Sequence, residues 1–226
     1  MVLLVACLLM FLVPIIGLVV DCGLLYFVRS RLTSAADAAA LAAARSLNLG
    51  LTVADQNSAA VARAQAFFNA NFPAGAYGTS GTSVNVSLTQ GNTPATLLTL
   101  YVTTQAQTSA PTYFMNIFNI SRIPVKVNGQ AARRNINLIL VLDRSGSMAN
   151  TQPGTSSTAC DLMKSAAKNF VTYFANNRDR LALVTFESAW FNTFNQSQTF
   201  NPGINTAIDG ISCSGGTNTS TALKQA

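Results

Sequence analysis

Histidine is absent from the 226 residues. With it go any Ser-His-Asp or Cys-His catalytic centre and any histidine-ligated zinc site. Charge is scarce as well. Charged residues make up 10% of the chain, against about a quarter in ordinary globular domains, and none lies between Ala64 and Ser121. Together with 49% hydrophobic residues, this excludes an intrinsically disordered chain, which is poor in apolar groups and rich in charge. The basic excess is 14 to 8, net +6. It is scattered over pairs such as Arg29/Arg31, Arg133/Arg134 and Arg178/Arg180 instead of gathering into a stripe, so no nucleic-acid partner is expected.

What is present begins with an apolar run. Residues 1–20, MVLLVACLLMFLVPIIGLVV, hold no charged or strongly polar side chain. Twenty helical residues span about 30 Å, the thickness of a bilayer core. The run continues past Asp21 to Val28, with Tyr26 and Phe27 suited to an interfacial belt and Pro14 at a tolerated kink. A cleaved signal peptide would have a shorter apolar core and a basic start, so residues 1–28 are expected to be a transmembrane anchor. Arg29 and Arg31 after the span argue for a cytoplasmic C-terminal part. The uncharged, Thr/Ser/Asn/Gln-rich stretch argues for an extracytoplasmic one, the expectation adopted here. An apolar run that starts at residue 1 also implies a basic leader upstream.

Residues 29–130 read as a helix plus a small antiparallel sheet. Leu32, Ala35, Ala36, Ala39 and Ala43 line one helical face in an alanine-rich stretch that Gly50 ends. A second helix over about Asp55–Ala70 carries Val61, Ala64, Phe67 and Phe68. Three alternating runs follow: Val84/Val86/Leu88, Leu98/Leu100/Val102 and Ile123/Val125/Val127. Between the last two, PTYFMNIFNI is expected to be a short helix whose Tyr113, Phe114, Ile117 and Phe118 are core.

From residue 134 the texture changes. NINLILVLD and RLALVTFES read as strands buried on both faces of a parallel sheet. Between them lies a helix capped by Ser156, Ser157 or Thr158, with Leu162, Met163, Ala166, Phe170 and Phe174 at helical spacing. Residues 189–200 are expected as an edge strand and Asn205–Ser212 as a short helix. This order predicts an incomplete doubly wound α/β domain over residues 134–226.

The chemistry-bearing motif is Asp143-Arg144-Ser145-Gly146-Ser147, at the carboxyl end of the first buried strand, where ligands bind in open α/β sheets. One carboxylate and two hydroxyls on a tight turn are hard oxygen donors, suited to Mg²⁺, Mn²⁺ or Ca²⁺. A second loop, Gly215-Gly216-Thr217-Asn218-Thr219, offers another hydroxyl. RSGSM lacks the Gly-x-Ser-x-Gly elbow and a histidine partner, so a serine nucleophile is not expected. The Asn-x-Ser sequons at Asn85, Asn119, Asn195 and Asn218 reflect composition.

LDRSGSM and GGTNT together resemble the metal-ion-dependent adhesion site of von Willebrand factor type A domains. The resemblance implies Asp143, Ser145, Ser147 and Thr217 as metal-shell residues, with Mg²⁺ the first expectation. The family's last aspartate, after a further strand, has no counterpart in these residues. With Asp143 the one assigned carboxylate and Arg144 beside it, weak binding is expected. The N-terminal part, through VDCGLLYFVRSRLTSAADAAALAAA, is similar to TadE/TadG-like proteins of the Flp (Tad) pilus system, although no glycine-glutamate cleavage pattern precedes the apolar run.

The two resemblances imply an N-terminal transmembrane helix, a small α+β pilin-like segment and an incomplete Rossmann-like type A domain. They imply a non-enzymatic, single-pass membrane protein of a bacterial cytoplasmic membrane. Its partner would be a pilus or cell-surface protein offering an acidic side chain. The alternative is a structural pilin-like component whose type A part binds no metal. If both loops converge on one site, as the resemblance implies, Cys160 and Cys213 are neighbours and disulfide candidates. Cys7 and Cys22 accompany the span, where thiols behave as small hydrophobes.

Overall fold

A computed structural model describes residues 2–91 and 99–225. Met1 of the expected anchor, Leu98 of the second expected strand and the side chain of Cys7 lie outside the described residues. The chain divides into two compact units. The first is Met1–Ser46 with Ala59–Arg133, and the second is Leu47–Ser58 with Arg134–Ala226. Sequence boundaries at 29–130 and 134–226 keep residues 47–58 with the first part; by contacts they belong with the second.

In the first unit, helix α1 runs unbroken over Val2–Arg45, through Pro14. Its apolar beginning is long enough to cross a membrane by length and composition. Met10, Leu12, Val13, Ile15, Ile16, Leu18, Val19 and Val20 are exposed. Further along, α1 packs on the strand Thr99–Pro111, and Leu32, Ala35, Ala36, Ala39 and Ala43 are buried. Helix α2 is Val53–Asn71, opened by Thr52 and Asp55, which bond each other's backbone N–H at 3.1 and 3.3 Å. It buries Ala60, Ala64 and Phe68, and Phe72 just beyond its end is buried too. Phe67 is not on that face as expected: it is exposed, with Arg63 stacked 5.7 Å from its ring centre.

Strands β1 (Ser80–Gln90), β2 (Thr99–Pro111) and β3 (Arg122–Arg134) form one sheet with β2 central and β1 antiparallel to it. On β2 every second residue, Leu100 through Ala110, is buried. The seam with α1 is tight because its residues are small. Thr104 Oγ1 donates to Ala36 O at 2.9 Å and lies 3.3 Å from Gly129 O. A Cβ on Gly129 would meet Ala36 O at 2.7 Å. The segment read as a core helix before β3 is instead a loop with a single 3₁₀ turn, Met115–Phe118. Tyr113, Ile117 and Phe118 there are exposed.

In the second unit, β4 (Asn137–Asp143) pairs parallel with β5 (Arg180–Phe186), which pairs antiparallel with β6 (Trp190–Ser197). β5, flanked on both sides, is buried from Leu181 to Phe186. β4 is not buried on both faces as its composition predicts. It has one neighbour in the sheet, and only Leu140 is buried. Helix α3 (Ala159–Val171) crosses between them, capped by Thr158. Its buried face is Cys160, Ala167 and Val171, with Met163 and Phe174 half-buried against the same core. Leu162, Ala166 and Phe170 point outward, so the expected stripe is rotated. Helix α4 (Gly203–Asp209) adds Ile204 and Ile208 to the core, and α5 spans Thr219–Gln225.

Two buried polar arrangements fix the loops at the amino end of β4 and β5. Asp179 accepts from Ala175 N at 2.7 Å and from Ile136 N at 3.0 Å. Gln56 donates to Asn176 O at 2.7 Å and accepts from Arg178 Nε at 2.8 Å.

Gly129→Ala forces the new methyl into the α1 backbone. A loss of about 1–3 kcal/mol is expected from overpacking, read as a lower unfolding midpoint of the full chain in detergent. The cap of α3 predicts a pH effect. The Thr158 hydroxyl, at 2.7 Å, and then its backbone N–H, at 3.1 Å, hold the Asp161 carboxyl below its usual range, with help from Lys164. A lowered folded value means that the contribution is complete above the ordinary carboxylate range, about pH 4. It is lost as pH falls through the lowered value. An NMR titration should place the Asp161 midpoint below that of an unfolded Asp, and Thr158→Ala should move it back up.

Candidate functional site at the carboxyl end of the second sheet

The parallel ladder brings Asp143 opposite Phe186, so β4 and β5 end together. The chain then turns sharply. Ser145 N donates to Asp143 Oδ1 at 2.7 Å, and Ser145 is buried. This turn brings the Ser145 and Ser147 hydroxyl oxygens to 3.2 Å of each other. Of the four residues expected in a metal shell, Asp143, Ser145 and Ser147 are therefore gathered on one turn. Thr217 lies on the adjoining loop, exposed to solvent.

That loop is stitched to the ends of both strands. Gly146 N donates to Gly215 O at 2.9 Å, and Ser214 N donates to Arg144 O at 2.8 Å. Gly216 N donates to Ser188 Oγ at 2.9 Å, and Asn218 N donates to Glu187 O at 2.6 Å. Gly215 is held in a backbone conformation that other residues rarely adopt. Its φ is +81°, and a Cβ would meet Glu187 Oε2 at 2.6 Å. Cys160 and Cys213 are disulfide-bonded, with Cα atoms 6.3 Å apart. The bond ties the first turn of α3 to the residue before the second loop.

Glu187 is a residue that reading the motifs missed. It follows the last residue of β5, and its Oε2 lies 3.5 Å from Ser214 Oγ. The signal was available: the strand-end rule that singles out Asp143 applies equally to the residue after RLALVTF. Arg144 turns toward Glu187, at 3.9 Å, and stacks over Phe191 at 4.7 Å from the ring centre. Its positive charge is thus engaged by Glu187 and the ring, not left as a free neighbour of Asp143.

Residues 138–226 match the von Willebrand factor type A domain family, and residues 1–46 match the TadE/G-like Flp pilus-assembly family. Neither match spans half of the chain, and the two lie at its opposite ends. No curated protein matches it. Among solved structures it is similar to an uncharacterized membrane-spanning protein from Vibrio fischeri, at 21% identity and a TM-score of 0.36, over 41% of this chain and 47% of that one. It is also similar to a mutant of the PilB minor pilin from Streptococcus sanguinis, at 15% identity and a TM-score of 0.35, over 63% of this chain and 42% of that one. The pilus tip protein Mfa5 from Porphyromonas gingivalis matches at 17% identity and a TM-score of 0.34, over 64% of this chain and 22% of that one. This chain spans less than half the length of each.

In the second unit the donor set suits a hard cation. A carboxylate and two converging hydroxyls from one turn are all oxygen ligands, the kind Mg²⁺, Mn²⁺ and Ca²⁺ take. Among the described residues no three His, Cys, Asp or Glu gather, at this turn or elsewhere, so the hydroxyls make up most of the donor set.

The disulfide closes a sequence separation of 53 residues. In the chain-entropy model this stabilises the second unit by about 4 kcal/mol. Cys160→Ser with Cys213→Ser should lower the unfolding midpoint of the full chain accordingly. Reductant should shift the parent and leave the double variant unmoved.

Proposed function

We propose that this chain is a membrane-tethered accessory protein of a Flp/Tad-type pilus system, with no catalytic activity. Its type A unit binds an acidic partner through a divalent cation. The observation that carries the reading is the turn at the end of β4. There Asp143, Ser145 and Ser147 converge beside the docked Thr217 loop, in a chain whose N-terminus is TadE/G-like.

Asp143, Ser145 and Ser147 would hold the cation, Mg²⁺ before Mn²⁺ or Ca²⁺, with Thr217 completing the set from the second loop. The bound cation would supply an open coordination position for a carboxylate of a pilus or cell-surface protein. The chain's own part is preorganisation. The Ser145 amide fixes the Asp143 carboxylate, and the backbone exchange between Gly146 and Gly215 holds the loops together. The disulfide adds a covalent restraint. It also supports an extracytoplasmic location for the type A unit at a bacterial cytoplasmic membrane, because such bonds persist in oxidising compartments.

A second reading rests on Thr217, whose exposure leaves the three-residue turn as the core of the site. On that reading the chain is a structural pilin-like component and the type A unit binds no metal.

Titration of the full chain with Mg²⁺ by calorimetry separates the two. Weak saturable binding, with Kd of about 10⁻⁴–10⁻³ M as in weak extracellular sites, is expected and should vanish in Asp143→Ala. Absence of binding by the parent, or unchanged binding by the variant, would overturn the metal reading. Capture of partners from host membranes with and without EDTA gives an independent readout, since a structural role predicts the same partners in both.

A further inference from the structure

The loop between β2 and β3, residues 112–121, lies along the start of α1, far from the type A motif in sequence and within the first unit. Its anchorage is unusual. Asp21 is buried, and its carboxylate accepts three consecutive backbone amides, from Tyr113 at 2.8 Å, Phe114 at 3.0 Å and Met115 at 2.7 Å. One helical turn earlier, Gly17 leaves space for the Phe114 ring, where a Cβ would sit 2.3 Å from Phe114 Cδ1.

Four further amides of the loop are paired within it. Ile117 N donates to Phe114 O, Asn119 N to Asn116 O, Ile120 N to Met115 O and Thr112 N to Ser121 O, at 2.9 to 3.2 Å. The Thr112 hydroxyl donates to Ile120 O. Seven of the nine amides from Thr112 to Ile120 thus have a partner, while Ile117, Phe118 and Ile120 are exposed. A water-exposed loop has the opposite economy: backbone open to solvent and apolar side chains turned in. Mostly paired amides beside exposed apolar side chains suit the boundary between headgroups and acyl chains, where apolar groups are buried and the few open backbone groups still meet water.

Position agrees. The loop's apolar side chains line one groove with Val13, Ile15 and Leu18 of α1, continuous with the exposed apolar surface of the candidate span. No charged residue lies between Ala64 and Ser121. Val13 is about 12 Å along the helix from Asp21, within the roughly 15 Å of one hydrocarbon leaflet. In the other direction Tyr26, Arg29 and Lys126 share a second groove, as side chains at headgroup level do. Asn116 and Asn119, both exposed, set the depth at the upper acyl chains instead of the midplane.

We infer that the 112–121 loop is a second membrane-inserting element. It enters the leaflet nearest Asp21, and Asp21 and Gly17 clamp it to the helix. This rests on the reading of α1 as a membrane anchor.

The test uses the full chain in phosphatidylcholine vesicles, with Trp190→Phe removing the native tryptophan and bromine on the upper acyl chains as quencher. Ile16→Trp reports the helix, and Phe118→Trp reports the loop. The inference expects both probes to lose emission to a similar extent. It also expects Gly17→Ala to reduce quenching of the loop probe several-fold and leave the helix probe unchanged. A quenched helix probe with an unquenched loop probe overturns the inference alone, including the case where the loop is covered by protein. If the helix probe is itself unquenched, the anchor reading falls and the inference with it.

Discussion

Small side chains on α1 set the distance at which a helix and a sheet can meet, and the first unit is built around that distance. Ala36 offers its carbonyl to Thr104, and Gly129 leaves the space that this approach needs. Larger residues at these points would lift the helix off the strands and strand the Thr104 hydroxyl in the interior, where an unmet polar group costs about 1–3 kcal/mol. The same helix carries the apolar stretch that can cross a membrane. A buried alanine face and an exposed aliphatic face therefore succeed one another along a single rigid rod, and the position of the sheet along that rod is fixed by packing.

The second unit uses a different device. Its two loops meet through backbone, by the paired bonds between Arg144 and Ser214 and between Gly146 and Gly215. Side chains on these loops are thereby freed for chemistry. This explains the density of glycine and serine in DRSGSM and SGGTNT: the first requirement is close approach, and the second is oxygen donors at the surface of that approach.

Much of this was legible in the sequence because periodicity reports burial. The alanine face of α1, the alternation of β2 and β3, and the strand-helix-strand order around the Asp143 motif all follow from spacing. The misreadings share a cause. Phe67 and Phe170, with Tyr113, Ile117 and Phe118 of PTYFMNIFNI, read as core because they are apolar, yet they are exposed. Hydrophobicity does not distinguish protein interior from another apolar or stacking partner. β4 reads as fully buried but has one neighbour in its sheet, a property of pairing that composition does not carry. At the site, Asp143, Ser145 and Ser147 are visible as a motif, whereas Glu187 has no motif and is found only when the ends of neighbouring strands are aligned.

The pairing of Gln56 with Arg178 carries a consequence for the order of assembly. The two partners are 122 residues apart in sequence, and Asn176 and Asn177 reach back equally far to Leu51. Residues 47–58 emerge from the ribosome long before the segment that completes them, and closing so long a loop must precede any gain from these bonds. Until then the Gln56 amide is served by water. The second unit thus completes only after residue 178 has been made, which places its final closure late in synthesis and leaves LNLGLTVADQNS, with Leu47, Leu49, Leu51 and Val53 among its polar residues, as an early part that waits.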